Sequence, residues 1–155
     1  MSTERWTRNL KRIFESMFQK AWLDHVVLRV KDVNRISEFY QDVFDASVER
    51  ELDIGLHQLR VGSVLIDLVA LDSELGKKGG LAPTGGKNLD HFCIRVEPFD
   101  YKAIRKRLDK VGVICSDVRE LYGADGYGPS VYLHDPEGNM IEIKGSPVRK
   151  LEGQD

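Results

Sequence analysis

An eight-residue strand is written twice in this chain. Leu23-Asp24-His25-Val26-Val27-Leu28-Arg29-Val30 returns as Leu89-Asp90-His91-Phe92-Cys93-Ile94-Arg95-Val96, with five positions identical and the others apolar or nearly so. Each copy alternates and is rich in branched side chains, as a strand with one covered face is. A fold that grows from this repeat is a duplicated module, and a histidine at the same point of both strands supplies what a symmetric metal site needs. The period is long and occurs twice only, which excludes a solenoid.

The residues after each copy extend the parallel. Asp32 is placed to cap a helix over 33–44 with Ile36, Phe39, Tyr40 and Val43 on one stripe. Strands follow near 46–52, 55–61 and 64–71, with Gly55 and Gly62 at the turns. In the second half the strand at 89–96 leads to a helix near 99–111, with Ile104, Leu108 and Val111 apolar and Gly112 at its end. A strand at 113–119, a loop rich in Gly and Tyr, and strands near 130–134 and 140–144 complete it. Each half reads βαβββ, an α+β class. Gly76 through Asn88 between the halves is a mobile linker by composition, and its spacing fails the phosphate-loop pattern.

Two segments flank the modules. Residues 1–22 contain an amphipathic helix over 5–20, where Trp6, Leu10, Ile13, Phe14 and Met17 share a face. Glu4 and Glu15 interrupt its basic run, so it reads as a helix packed on the domain or at a subunit interface, not as a membrane-surface helix. Residues 146–155 read as a tail.

Composition narrows the partners. The formal charge of -2 lacks the basic surplus that neutralises phosphates, so nucleic acid is not expected. No apolar run approaches a membrane span, and no signal peptide is visible. The two cysteines, Cys93 and Cys115, have no framework spacing and read as reduced thiols of a cytoplasmic protein.

Strand parity points to the chemistry. His25, Val27 and Arg29 share one face, as do His91, Cys93 and Arg95, while Val26, Leu28, Val30 and Phe92, Ile94, Val96 take the other. The apolar face carries the helix and the polar face lines something wet or bound. The last strand of each half holds one acid among apolar residues, Asp67 in Val64–Val69 and Glu142 in Met140–Lys144, which is costly unless the acid is paired or metal-bound. His25, Asp67, His91 and Glu142 thus make a candidate set for a divalent Zn, Ni, Co, Mn or Fe ion. Against this stand plainer roles: a hydrogen-bonded histidine at a strand start, or a salt bridge from Glu142 to Arg29 or Arg95. Arg29 and Arg95 are also candidates to clamp an anionic substrate group, or to pair with the acids of each other's module, which is slightly preferred. Cys93 reads as a small buried filler. No motif assigns His57 or His134, and His134 reads as a surface or turn residue.

These motifs, with "SEFYQDVF" after the first strand and above all "VYLHDPEGNMIEIKG" at the end, resemble the vicinal oxygen chelate superfamily. It includes glyoxalase I, methylmalonyl-CoA epimerase, fosfomycin-resistance thiol transferases, extradiol dioxygenases and bleomycin-resistance proteins. The resemblance covers residues 23–145, divided into modules 23–72 and 89–145. It implies a curved mixed sheet around a cup, common dimerisation, and metal ligands at His25, Asp67, His91 and Glu142. Asp67 departs from the pattern: glyoxalase I has Glu there, the epimerase has Gln, and the fosfomycin enzymes use three ligands in total. Tyr132 stands where the fosfomycin enzymes have a substrate-binding Tyr.

What the resemblance implies first is a metal-dependent lyase or isomerase, similar to lactoylglutathione lyase. It would act on a small oxygen-chelating substrate such as a hemithioacetal, in which the metal stabilises an enediolate and Glu142 or Asp67 moves a proton. The alternatives are a thiol transferase that opens an epoxide, forming a thiol conjugate, and a non-catalytic drug-binding protein. The modules can pair within one chain or across a homodimer.

Overall fold

The computed structural model describes residues 22–81 and 89–149. The helix expected over 5–20 lies outside the described residues, as do positions 82–88 and 150–155. The first half runs β1 (His25–Val30), α1 (Val33–Phe44), β2 (Ser47–Leu52), β3 (Leu56–Val61) and β4 (Val64–Ala70). A short helix, α2 (Glu74–Lys78), opens the connection. The second half runs β5 (His91–Arg95), α3 (Tyr101–Lys110), β6 (Arg119–Gly123), β7 (Gly126–His134) and β8 (Met140–Lys144). The sheets have orders β1-β4-β3-β2 and β5-β8-β7-β6. β1 runs parallel to β4 and β5 to β8, and the remaining pairs are antiparallel. The duplication read from eight residues therefore extends to topology.

Both long helices start on an aspartate. Asp32 accepts from the Arg35 amide and Asp100 from the Ala103 amide, each satisfying a donor that the helix leaves open. Ile36, Phe39, Tyr40 and Val43 of α1 are buried on one stripe. They join Val30, Leu59, Leu68, Leu108, Val131 and Ile141 in one core that draws on both halves. Burying each such side chain fully is worth roughly 1.5–3 kcal/mol.

Three expectations need correction. The strand expected at 113–119 forms at Arg119–Gly123 instead, and the strand expected near 130–134 begins already at Gly126, within the stretch read as a loop. Gly and Pro in this stretch read as breakers, yet β7 pairs on both sides, and such pairing overrides local preference. Gly128 suits its place because a Cβ there would lie 2.9 Å from the Ser146 carbonyl oxygen. The connection is also ordered further than its composition suggests. Ser73 caps α2 by accepting from Gly76 N at 3.0 Å, and the Arg29 guanidinium binds the carbonyls of Gly76, Gly79 and Gly80.

The two halves meet through α1 and α3, where Arg107 bonds Asp45 at 2.7 Å and the Val43 carbonyl at 3.3 Å. On one side of this contact the β7–β8 turn reaches across. The Glu137 carboxylate accepts from the amides of Lys31 and Asp32, each at 2.8 Å. Buried Asp135 organises that turn, accepting from the Glu137 and Asn139 amides and the Asn139 side chain. On the other side the β3–β4 turn is only Gly62-Ser63. There a cleft of about 870 Å³ lies between the halves, lined by Leu23, Val61, Val64, Ile94, Val96 and Ile104 among others.

Candidate metal and substrate site

Register aligns the candidate residues in two matching rows. In the first sheet Val27, Asp67 and Gln58 lie side by side across β1, β4 and β3. In the second, Cys93, Glu142 and Tyr132 do so across β5, β8 and β7. His25 and His91 stand two residues before Val27 and Cys93, on the same face. That face is opposite the one packed in the core, where Leu28, Ile66, Leu68, Ile141 and Ile143 lie.

Each histidine is oriented by the aspartate before it. Asp24 lies 2.7 Å from His25 Nδ1 and Asp90 lies 2.7 Å from His91 Nδ1. A carboxylate on Nδ1 fixes the ring and leaves Nε2 as the free ligand atom, the arrangement usual for metal-binding imidazoles. The hydrogen bond with Asp24 raises the pKa of His25, and the charge of Asp67 adds to it. The repeated Leu-Asp-His places both aspartates at the same point before each histidine.

The second half-site is crowded with donors. Glu142 is 6% exposed. Its Oε2 accepts from the Tyr132 hydroxyl at 3.3 Å and lies 3.4 Å from His91 Nε2. Tyr132 packs edge-on against the His91 ring at 5.4 Å, and burial together with the Glu142 charge raises its pKa. Glu142 Oε1 is buried and accepts no hydrogen bond. The nearest cation is neither Arg29 nor Arg95 but Lys144, whose Nζ lies 3.7 Å from Oε1. Cys93 is exposed as a residue on this face, not a buried filler; partial desolvation of its thiol by the surrounding side chains and then the Glu142 charge push its pKa up to about 11.

The first half-site is simpler. Asp67 is 4% exposed, and both of its oxygens accept from the Gln58 amide, at 3.2 and 3.0 Å. Gln58 carried no sequence motif; only its register opposite Asp67 marks it. The arginines do not pair with the acids of each other's module as preferred above. Arg29 is engaged by three carbonyls, and Arg95 pairs with Asp125 of its own half. His134 is exposed at the end of β7, and His57 lies 3.6 Å from Glu51.

Among the described residues, no three His, Cys, Asp or Glu side chains gather as they would around a metal ion. One chain therefore presents two half-sites, His25–Asp67 and His91–Glu142, on two separate sheets. Both histidine-bearing strands are edge strands. Beside them Trp22, Leu23, Val27 and Leu89 are 75, 62, 50 and 51% exposed.

No helix among the described residues is long and apolar enough to cross a membrane. Mitochondrial methylmalonyl-CoA epimerase of Mus musculus is 26% identical over 145 residues, covering 84% of this chain and 80% of that protein. A virulence protein of Salmonella typhimurium is 30% identical over 123 residues, covering 78% and 81%. Among solved structures, a genomically encoded fosfomycin resistance protein from Listeria monocytogenes superposes with a TM-score of 0.62 at 19% identity. It covers 84% of this chain and 97% of its own. A mutant of that protein was solved in complex with Mn(II) and a dihydroxypropylphosphonic acid. The family model for this fold matches residues 22–143, and the chain belongs to the Glyoxalase/Bleomycin resistance protein/Dioxygenase superfamily.

Proposed function

We propose that the chain is a metal-dependent lyase or isomerase that moves a proton next to a carbonyl group of a small oxygen-rich substrate. Its site would be completed by two copies of the chain. The observation that carries this reading is the His91–Glu142–Tyr132 cluster, in which Oε2 of the buried carboxylate faces His91 Nε2 and the Tyr132 hydroxyl while Oε1 meets the Lys144 ammonium at 3.7 Å and accepts no hydrogen bond. A buried acceptor without a donor is costly in a site meant only for packing. The donor set fits a divalent ion: two imidazoles with Nδ1 already engaged, and a carboxylate.

In this reading His91 and Glu142 of one copy and His25 of a second copy hold the ion. The two half-sites lie on separate edge strands, and the apolar residues around those edges support their coverage by another copy. The ion, when bound, supplies Lewis-acid polarisation of a substrate oxygen. Asp67, held by Gln58, moves the proton. Tyr132, whose one hydroxyl proton goes to Glu142 Oε2, offers its oxygen as an acceptor to a substrate hydroxyl. Proton transfer next to a carbonyl is the chemistry shared by epimerases and glyoxalases, so the epimerase relative agrees with it.

The test is reconstitution with Zn, Ni, Co and Mn, followed by solvent-deuterium incorporation into thioesters and hemithioacetals. Exchange that depends on metal supports the reading. Binding without metal or turnover would leave a drug-sequestering protein, and consumption of thiol with an epoxide would make it a transferase.

A further inference from the structure

We propose that Lys144 is a positioning residue for Glu142, an inference that rests on the metal-site reading above. The duplication breaks at this place. Arg29 pairs in register with Val69, whereas its counterpart Arg95 pairs with Lys144. Both Val69 and Lys144 are 3% exposed. A valine there is ordinary packing, but a buried ammonium is costly unless it is fully met by acceptors and has a task.

The ammonium is built in from several sides. It donates to the Leu121 carbonyl at 2.6 Å and to Ser130 Oγ at 3.0 Å, with the Gly128 carbonyl at 3.5 Å. Gly123 makes the room, since a Cβ there would lie 2.6 Å from Lys144 Cε. Three neutral acceptors thus take the three N–H groups. The positive charge remains, and the Glu142 Oε1 atom lies 3.7 Å away without accepting a hydrogen bond.

That arrangement divides the carboxylate. Oε1 lies on the Lys144 side, 3.7 Å from the ammonium, and Oε2 turns to His91 Nε2 and the Tyr132 hydroxyl. A hydrogen bond would have consumed a lone pair; a fixed charge at 3.7 Å does not. Lys144 touches neither ion nor substrate in this scheme. It acts through Glu142, and the first half-site, with Val69 at the equivalent place, has no such device.

The experiment is a Co(II) titration of the full chain followed by its visible absorption, with thermal unfolding run in parallel. The variants are Lys144→Met, Lys144→Gln, Gly123→Ala, Ser130→Ala and His91→Ala. Removing an outer partner of a metal ligand costs about 10–100-fold in affinity, so Lys144→Met and Lys144→Gln are expected to bind Co(II) at least about tenfold more weakly. Gly123→Ala, which displaces the ammonium without removing it, should weaken binding and alter the Co(II) spectrum. Ser130→Ala keeps the charge and should keep both affinity and spectrum, whatever it does to stability. The inference is overturned if the Lys144 variants bind as tightly as wild type or tighter. Equal weakening by Ser130→Ala also overturns it, because the role is then structural. If both Lys144 variants fail to fold, an unchanged Gly123→Ala overturns it and a weakened one supports it. When wild type itself binds no Co(II), or His91→Ala binds equally, the metal reading falls and takes this inference with it; when only the Lys144 result fails, that reading survives.

Discussion

The two halves of the chain share a topology and differ in what they do with it. The first half spends its polar face on a closed pair: Gln58 occupies both oxygens of Asp67, and Arg29 is tied to three carbonyls. The second leaves Glu142 Oε1 without a hydrogen bond, 3.7 Å from the Lys144 ammonium, and turns Oε2 to His91 and Tyr132. The joints between the halves differ in the same sense. The five-residue turn 135–139 reaches the start of α1, whereas the two-residue turn Gly62-Ser63 leaves a cleft. Duplication supplies two copies of a scaffold. In the proposed function the first half lends a histidine and a proton-moving acid, and the second a histidine and a carboxylate for the ion.

The strongest way to break that contrast is His91→Ala. It should take turnover to background and weaken Zn binding by more than about a hundredfold, read by competition with a chromogenic chelator. Asp67→Asn should behave differently. A loss of about 10²–10⁴-fold in kcat is expected with metal affinity within a few-fold of wild type. Equal loss of metal affinity would make Asp67 a fourth ligand and restore the symmetry.

Cys93 offers a third probe, since its counterpart is Val27. With a pKa pushed up to about 11, the thiol carries little thiolate at pH 8. Alkylation by iodoacetamide should run about 10²-fold slower than with free cysteine and accelerate as pH rises toward that value. A rate like that of free cysteine would mean that burial and the Glu142 charge do not act on it.

The smallest effect concerns the joints. Glu137→Ala removes the acceptor of two backbone amides and should lower stability by about 1–3 kcal/mol in urea unfolding. Ser63→Ala, in the short turn opposite, should change it by less than about 0.5 kcal/mol. Equal effects would mean that both joints are held alike.

Much of this was legible in the residues. The repeated strand, Asp32 before its stripe, and the two acids in apolar runs gave the βαβββ order and three of the residues now proposed to hold an ion. What the residues hid has physical causes. β7 contains Gly126, Gly128 and Pro129, and only pairing on both sides makes it a strand. Helix α2 and the two glycines after it are met by Arg29, nearly fifty positions earlier, which binds the carbonyls of Gly76, Gly79 and Gly80. Lys144 carried no signal of its own, because Leu121 and Gly123 of its cradle come from a strand that local preference did not predict. Gln58 was silent because register, not pattern, sets it beside Asp67.

Among the described residues β1 and β5 are edge strands, with a consequence for how such a protein would be handled. If each is covered by another copy, the folded state is linked to concentration by mass action. Diluted samples would then lose their ligand set before their fold. The same dilution would expose two unpaired backbones flanked by Trp22, Leu23 and Leu89, an invitation to adventitious strand pairing. Assays at nanomolar protein would then underestimate any activity, and a lag that shortens as protein is added would be reassembly.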